Sequence, residues 1–277
     1  MPELPEVESA RRLIERTAAG HRIQQVRCNR DSIVFDGVST RQVRQALTGR
    51  TIYAAHRRGK HLWLELDQRP WPCFHLGLTG RFQTRDVKPL KLASSNAVDD
   101  SDWPPRFSKI HLFMSNGAEL AMTNKRRFGR IRLRKDPAKE PPINRLGFDP
   151  LLDLPSLRQF SELLAQRSAS IKALLLDQSF AAGVGNWIAD EILYQARVAP
   201  SRRADQLSPA EARQIRLRLK HIVETAVRVD ARASHFPPSW IFHRRWGRKI
   251  NSTLGGHRIE FLTLCGRTTA WVPALQK

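Results

Sequence analysis

Behind Pro5, Val7, Ala10, Ile14 and Thr17 recur every three or four positions, and Gly20 ends the run. That spacing places them on one face of a helix. Pro5 suits the first helical position, because its missing N–H would have no partner there. Pro2 to Leu4 then reads as a short extended arm leading into the helix. The period next changes to two: Leu62, Leu64 and Leu66 alternate with Trp63 and Glu65, and Ile110, Leu112 and Met114 repeat the pattern. Strands with one buried face alternate in this way. With "RIQQVRC", "TIYAAH", "AELAM" and "RIRLRK" nearby, residues 20–135 read as mostly antiparallel β, closed as a sandwich or flattened barrel.

Prolines and a glycine in "KDPAKEPPINRLGFDPLLDLP" mark a linker, after which the pattern turns helical. The clearest helix is "SPAEARQIRLRLKHIVETAVRV". Ser208 and Glu211 form a capping box around Pro209, and Ala212, Ile215, Leu219, Ile222, Ala226 and Val229 make one stripe. Short strand-like pieces around "GGHRIEFLTLCGRTTAWV" predict a β-hairpin. The insert "VKPLKLASSNAVDDSDWPP" reads as a mobile loop. The expected organisation is a β-sandwich domain over 1–135, a linker over 136–154, a helical domain over 155–230 and a β-hairpin finger over 231–277.

Charge changes the picture most. The 277 residues carry 47 Lys+Arg against 26 Asp+Glu, a net +21 that draws polyanions and nucleic acid above all. Cys28, Cys73 and Cys265 are isolated, so no disulfide framework or four-thiolate zinc site can be assembled from them. No apolar run approaches the roughly 20 residues of a membrane span, and the N-terminus lacks the apolar core of a signal peptide. An intracellular protein is expected.

Candidate chemistry gathers first in "MPELPEVE". Removal of Met1 would leave Pro2 with a free secondary amine. A free α-amine titrates at about 7.7 to 8, so near neutrality part of it is an uncharged nucleophile. The helix N-terminus just ahead disfavours its charged form, and Glu3 and Glu6 supply the acid/base groups that imine chemistry needs. The bland alternative is that the prolines only stiffen the arm and the carboxylates only satisfy a helix start. Lys60 stands at the entrance to an alternating strand, where a plain surface lysine is the competing reading. "HLGLTGRF" follows with a hairpin-like Gly-x-x-Gly. From Asn124 to Lys135 seven basic residues and no acid surround Phe128, a composition suited to neutralising phosphates and wedging a base stack, or else a solvated face. In "LLLDQSFAAGVGNWIADEILYQARVAP" Gly183 and Gly185 allow close backbone approach to a ligand. Asn186 is suited to cap a helix whose N-terminus favours a phosphate. Asp190 and Glu191 read as first-turn acids complementing that helix's dipole.

Taken together, "MPELPEVE", "RRGKHLWLEL", "HLGLTGRF", "NKRRFG", the GVGN segment and the terminal "GRTTAWVPALQK" resemble the formamidopyrimidine-DNA glycosylase and endonuclease VIII family, in its zincless branch from plants and fungi. The resemblance runs the whole chain in the family's order. It implies an α+β fold: an N-terminal helix with an antiparallel β-sandwich, then a helix-two-turns-helix domain and a zincless β-hairpin finger. It also implies a monomeric, cofactor-free repair enzyme acting on damaged double-stranded DNA in the nucleus. Pro2 would attack the sugar, with Glu3 as general acid/base, Glu6 orienting the arm and relaying protons, and Lys60 meeting a phosphate beside the lesion. His75, Lys172, Asn186 and Arg267 match phosphate-holding positions. Leu78, Arg126 and Phe128 match the triad that fills the hole left by a flipped nucleotide.

Two departures stand out. Leu78 replaces the family's void-filling methionine, which leaves the choice of opposite base open. Only Cys265 lies where the zinc finger's cysteines would be, so packing by Trp240, Ile259, Phe261 and Trp271 is expected to hold the hairpin. The branch leans toward hydantoins and abasic sites over 8-oxoguanine. An N-terminal nucleophile also argues against an uncleaved leader. The rival is a non-catalytic nucleic-acid-binding protein, from which the Pro2 amine, Glu3 and Lys60 alone separate the enzyme.

Overall fold

The computed structural model describes residues 2–85, 102–247 and 252–277, so most of the insert at 87–105 lies outside the described residues. The chain divides into two compact units, Met1–Arg145 and Leu146–Lys277.

In the first unit, helix α1 (Leu4–Ala18) begins one residue earlier than its proline suggests. Glu3 is the N-cap, so Leu4 belongs to the helix rather than to an extended arm. Val7, Ala10 and Ile14 are buried as the spacing requires, and Gly20 leaves the helix at a φ of +79°. Eight strands follow, with one helix among them. β1 (Ile23–Cys28), β6 (Ser108–Met114), β7 (Glu119–Thr123) and β5 (Arg81–Thr84) form one sheet. β2 (Ile52–Arg58), β3 (His61–Leu66), β4 (Trp71–His75) and β8 (Arg130–Arg134) form the other. All these pairings are antiparallel. Leu62, Leu64 and Leu66 from one sheet and Ile110, Leu112 and Met114 from the other join Val7 and Ile14 in a single core.

Two details depart from the sequence reading. Helix α2 (Thr40–Leu47) interrupts the β region; Ser39 caps it through Gln42, and it buries only Val43 and Leu47. The Gly-x-x-Gly segment is not a hairpin. β4 pairs with β3 and β8 while β5 pairs with β7, so residues 76–80 carry the chain from one sheet to the other, closed by the Gly80 N–H donating to the Leu76 carbonyl at 2.9 Å.

The second unit packs α3 (Leu157–Ala165), α4 (Ile171–Leu176), α5 (Asn186–Ala196) and α6 (Pro209–Arg228). The capping box of α6 forms as expected, and Ala212, Ile215, Leu219, Ile222 and Ala226 are fully covered. β9 (Thr253–Leu254) pairs with β10 (His257–Arg258), and β11 (Glu260–Leu264) with β12 (Arg267–Trp271). Cys265 and Gly266 at the β11–β12 turn both have positive φ, +50° and +67°, as a two-residue hairpin of this twist demands. Its base is packed by Ile241, Leu254, Ile259, Ala270 and Val272, with Phe261 against them. Trp240 lies instead in an aromatic group with Trp187 and Phe236, and Trp271 is outside the hairpin's core.

Candidate nucleic-acid site and catalytic arm

Pro2, Glu3 and Glu6 are all buried at the start of α1. The Glu6 carboxylate accepts from the backbone N–H of Glu3 at 2.9 Å, one half of a capping box. Burial, then the neighbouring Glu3 charge, pushes the Glu6 carboxyl up to about 7. A carboxyl so placed gains and loses its proton near neutral pH.

Two residues on, Glu8 is tied to the Lys60 turn, a connection the sequence did not reveal. Its carboxylate pairs with Arg57 at 3.1 Å and with Arg11 at 2.9 Å. Arg57 in turn donates to the carbonyl of Gly59 at 3.1 Å. Burial alone would raise the Glu8 carboxyl, but the hydrogen bonds and charges of Arg11 and Arg57 outweigh it and hold it below the usual range. Lys60, itself buried, follows directly in the β2–β3 turn. His61 and His75 lie behind it, ring centroids 4.9 Å apart. Burial, then their mutual repulsion for His61 and the Lys60 charge for His75, depress them to about 3 and about 4, so both imidazoles are neutral at physiological pH.

The segments bearing Leu78, Arg126 and Phe128, matched to the wedge by resemblance, are brought together by backbone rather than by those side chains. Asn124, wholly buried, donates to the Leu76 carbonyl at 2.9 Å and accepts from the Gly129 N–H at 3.1 Å. It thereby joins the segment bearing Leu78 to the loop bearing Arg126 and Phe128. A Cβ on Gly77 would lie 2.4 Å from the Phe128 carbonyl carbon, so only glycine permits the approach. His75 accepts from the Gly77 N–H at 3.3 Å and hydrogen-bonds the Phe128 backbone. Leu78 is half-buried, whereas Phe128 stands exposed with the Arg126 guanidinium 5.3 Å from its ring centre.

The basic run is only partly available to a polyanion. Arg127 pairs with the buried Asp31 at 3.1 Å, Arg132 with Asp36 at 2.6 Å, and Arg134 with Glu140 at 3.6 Å. Lys109 also holds Asp31, at 2.8 Å; burial opposes ionisation there, but these cations keep its carboxyl well below the ordinary aspartate range.

In the second unit, Gln178 closes the GVGN turn, accepting from Gly183 at 3.0 Å and donating to the Val184 carbonyl at 2.8 Å. Gly185, not Asn186, is the N-cap of α5; Asn186 occupies the first helical position and donates Nδ2 to the Thr268 carbonyl at 2.8 Å. Arg267 is exposed beside the hairpin turn. Lys172 does not reach the surface. It is fully enclosed, its ammonium bonded to Asp190 and, at 3.0 Å, to the Asn186 carbonyl. Asp190 is equally hidden and lies a full turn into α5, so it is no first-turn acid. It also receives Arg245 at 2.8 Å and the Ala270 N–H at 3.2 Å. Glu191 accepts from the Phe242 N–H at 2.9 Å, and burial lifts its carboxyl to about 7. Among the described residues no three His, Cys, Asp or Glu side chains cluster as metal ligands, and no helix is long and apolar enough to cross a membrane.

Paired carboxylates at the start of a helix on a β-sandwich, joined in the chain to a helix-turn-helix unit with an exposed arginine at a hairpin turn, fit a class of DNA-processing protein. Three family models match it in order: formamidopyrimidine-DNA glycosylase N-terminal domain over residues 1–131, its H2TH domain over 146–237 and its C-terminal domain over 240–273. A formamidopyrimidine-DNA glycosylase of Arabidopsis thaliana is 44% identical over this whole chain and 71% of its own length. One from Heliobacterium modesticaldum is 35% identical over 85% of this chain and 81% of its own. The fold matches a Lactococcus lactis formamidopyrimidine-DNA glycosylase bound to DNA containing an abasic site, with a TM-score of 0.81 at 23% identity over 99% of each chain. The chain belongs to the formamidopyrimidine-DNA glycosylase family.

Proposed function

We propose that this chain is a base-excision repair enzyme that removes oxidised bases from duplex DNA and then cuts the strand at the abasic site. The Pro2 nitrogen attacks the sugar C1′, the bond to the base breaks, and the base leaves with a proton from the arm's carboxylates. Ring opening gives an iminium between Pro2 and C1′. That cation acidifies the C2′ hydrogens, so β-elimination expels the 3′ phosphate and δ-elimination the 5′ phosphate. Glu3 handles protons at the sugar, and Glu6 orients the arm and exchanges a proton near neutral pH. Lys60 meets a phosphate beside the lesion. Leu78, Arg126 and Phe128 fill the space of the extruded nucleotide, while Asn186 and Arg267 hold the backbone. Action in the nucleus belongs to this reading, with the cytoplasm or nucleoid of a bacterium as its alternative.

The observation that carries this reading is the buried Glu6 carboxyl, lifted to about 7 and bonded to Glu3 one residue from Pro2. Burial lifts Glu191 of the second unit as far, so it is the place of Glu6 beside Glu3 and Pro2 that supports proton transfer here. Borohydride reduction on damaged duplex DNA tests it. A covalent adduct mapping to Pro2 is expected; tight binding without an adduct would leave a non-catalytic nucleic-acid-binding protein.

A further inference from the structure

We propose that Asp190 is a positioning residue for DNA binding. Its buried ion triad with Lys172 and Arg245 fixes the β11–β12 hairpin to helix α5, and so sets the spacing between Asn186 and Arg267. The inference rests on the reading of those two residues as backbone holders. In the family resemblance a metal cluster steadies this hairpin, and here residues 231–277 contain one cysteine, Cys265, exposed at the turn. The carboxylate of Asp190 instead gathers three elements. Oδ1 takes the ammonium of Lys172, on α4. Oδ2 takes both Nε and Nη2 of Arg245, at 3.1 and 2.8 Å, and the N–H of Ala270 on β12, at 3.2 Å. Asp190 and Lys172 are sealed from solvent and Arg245 nearly so, so these contacts act unscreened by water.

A second tie runs parallel to the first. Lys172 also donates to the Asn186 carbonyl, and the Asn186 Nδ2 donates to the Thr268 carbonyl, one residue beyond Arg267. Nδ2 carries two hydrogens, and the bond to Thr268 uses one. The hairpin thus orients the asparagine, leaving its second hydrogen for a phosphate oxygen, while β12 sets where the Arg267 side chain starts. The apolar cluster beneath the hairpin, Ile241, Leu254, Ile259, Ala270 and Val272 with Phe261 and Tyr194, is non-directional. Directional bonds to one carboxylate specify the register.

A double-mutant cycle in the full-length protein tests the proposal, reading equilibrium affinity for a duplex with a tetrahydrofuran abasic analogue. Asp190→Asn is expected to weaken binding by on the order of 10- to 100-fold, a loss well above any fall in single-turnover rate at saturating protein. Adding Arg267→Ala to Asp190→Asn is then expected to cost much less than Arg267→Ala costs the parent, because the arginine is already misplaced. Should Asp190→Asn fail to fold, Arg245→Met replaces it in the same cycle, leaving Asp190 and Lys172 as a neutral pair. Full additivity, or unchanged affinity in the Asp190 and Arg245 variants, overturns the positioning role while leaving the phosphate-holding reading intact. No effect of Arg267→Ala in the parent overturns both.

Discussion

The Glu8 carboxylate and the Arg57 guanidinium meet at 3.1 Å with side chains 8% and 1% exposed, and through them the helix that begins beside Pro2 grips the turn that carries Lys60. Two proposed catalytic groups 58 positions apart are thus held to one buried ion pair rather than to flexible backbone. Glu8→Gln removes the negative member of that buried pair. It is expected to cost about 3–5 kcal/mol of stability and, below its melting temperature, about tenfold or more in strand cleavage. Thermal melts and single-turnover assays measure the two effects; normal cleavage by the folded variant would show that the pair does not position Lys60.

Glu6 makes stability depend on pH with a definite sign. Its carboxyl is held at about 7 in the folded chain against 4.5 for an unperturbed glutamate. Between those values the folded state keeps a proton that the unfolded state has lost, so the stabilisation is complete below about 4.5 and disappears as pH climbs through about 7. Glu6→Gln fixes the neutral form. Its melting temperature is expected to gain on that of the parent from pH 5 to pH 8, and the difference cancels the parallel contribution of Glu191. A constant difference across that range would contradict the raised value. The pH–rate profile of the parent should also bend near 7 and lose that bend in the variant.

Asn124 is the fastening between the Leu78 segment and the Phe128 loop. Asn124→Ala strands the Gly129 N–H, at about 1–3 kcal/mol for a buried group left unsatisfied, and leaves the Leu76 carbonyl with the Gly80 N–H alone. Base extrusion should suffer beyond that loss. A 2-aminopurine reporter beside the lesion is expected to brighten less on binding, and equal brightening would dissociate Asn124 from wedge placement.

Arg267 faces solvent, and among the described residues no carboxylate pairs with it. Arg267→Ala should weaken binding on every sequence alike and flatten the logarithmic salt dependence by about one unit. Titration of abasic-analogue duplex from low to moderate salt decides it.

Much of the fold could be read directly. Helices α1 and α6 carried both period and caps, and strands β3 and β6 alternated cleanly. Helix α2 escaped because eight residues with two buried side chains leave hardly any periodic trace. The Gly-x-x-Gly segment misled because local sequence shows a turn but not its partners: β5 pairs with β7 from Arg81 with Thr123 to Thr84 with Leu120, and β4 reaches β8 from Trp71 with Arg134 to His75 with Arg130. The proposed catalytic arm stood out in the sequence because Pro2, Glu3 and Glu6 lie within one turn of the chain's start. Glu8, Asn124 and Asp190 did not: each acts through residues distant in the chain, and an isolated carboxylate or amide looks the same whether it faces water or closes a network. Lys172 was misplaced for the same reason, since a lysine's sequence neighbours do not reveal that its charge is neutralised indoors by Asp190.

The tethering of Arg127 by Asp31 divides the arginines of one short loop into different trades. Charge removal along it should yield two phenotypes: heat lability where a guanidinium braces the scaffold, as at Arg127 and Arg132, and salt sensitivity where it is spare, as at Arg126. A raw tally of positive charge overstates what the double helix actually meets, and engineering that swaps these arginines by count would stiffen or melt the loop while believing it was tuning grip.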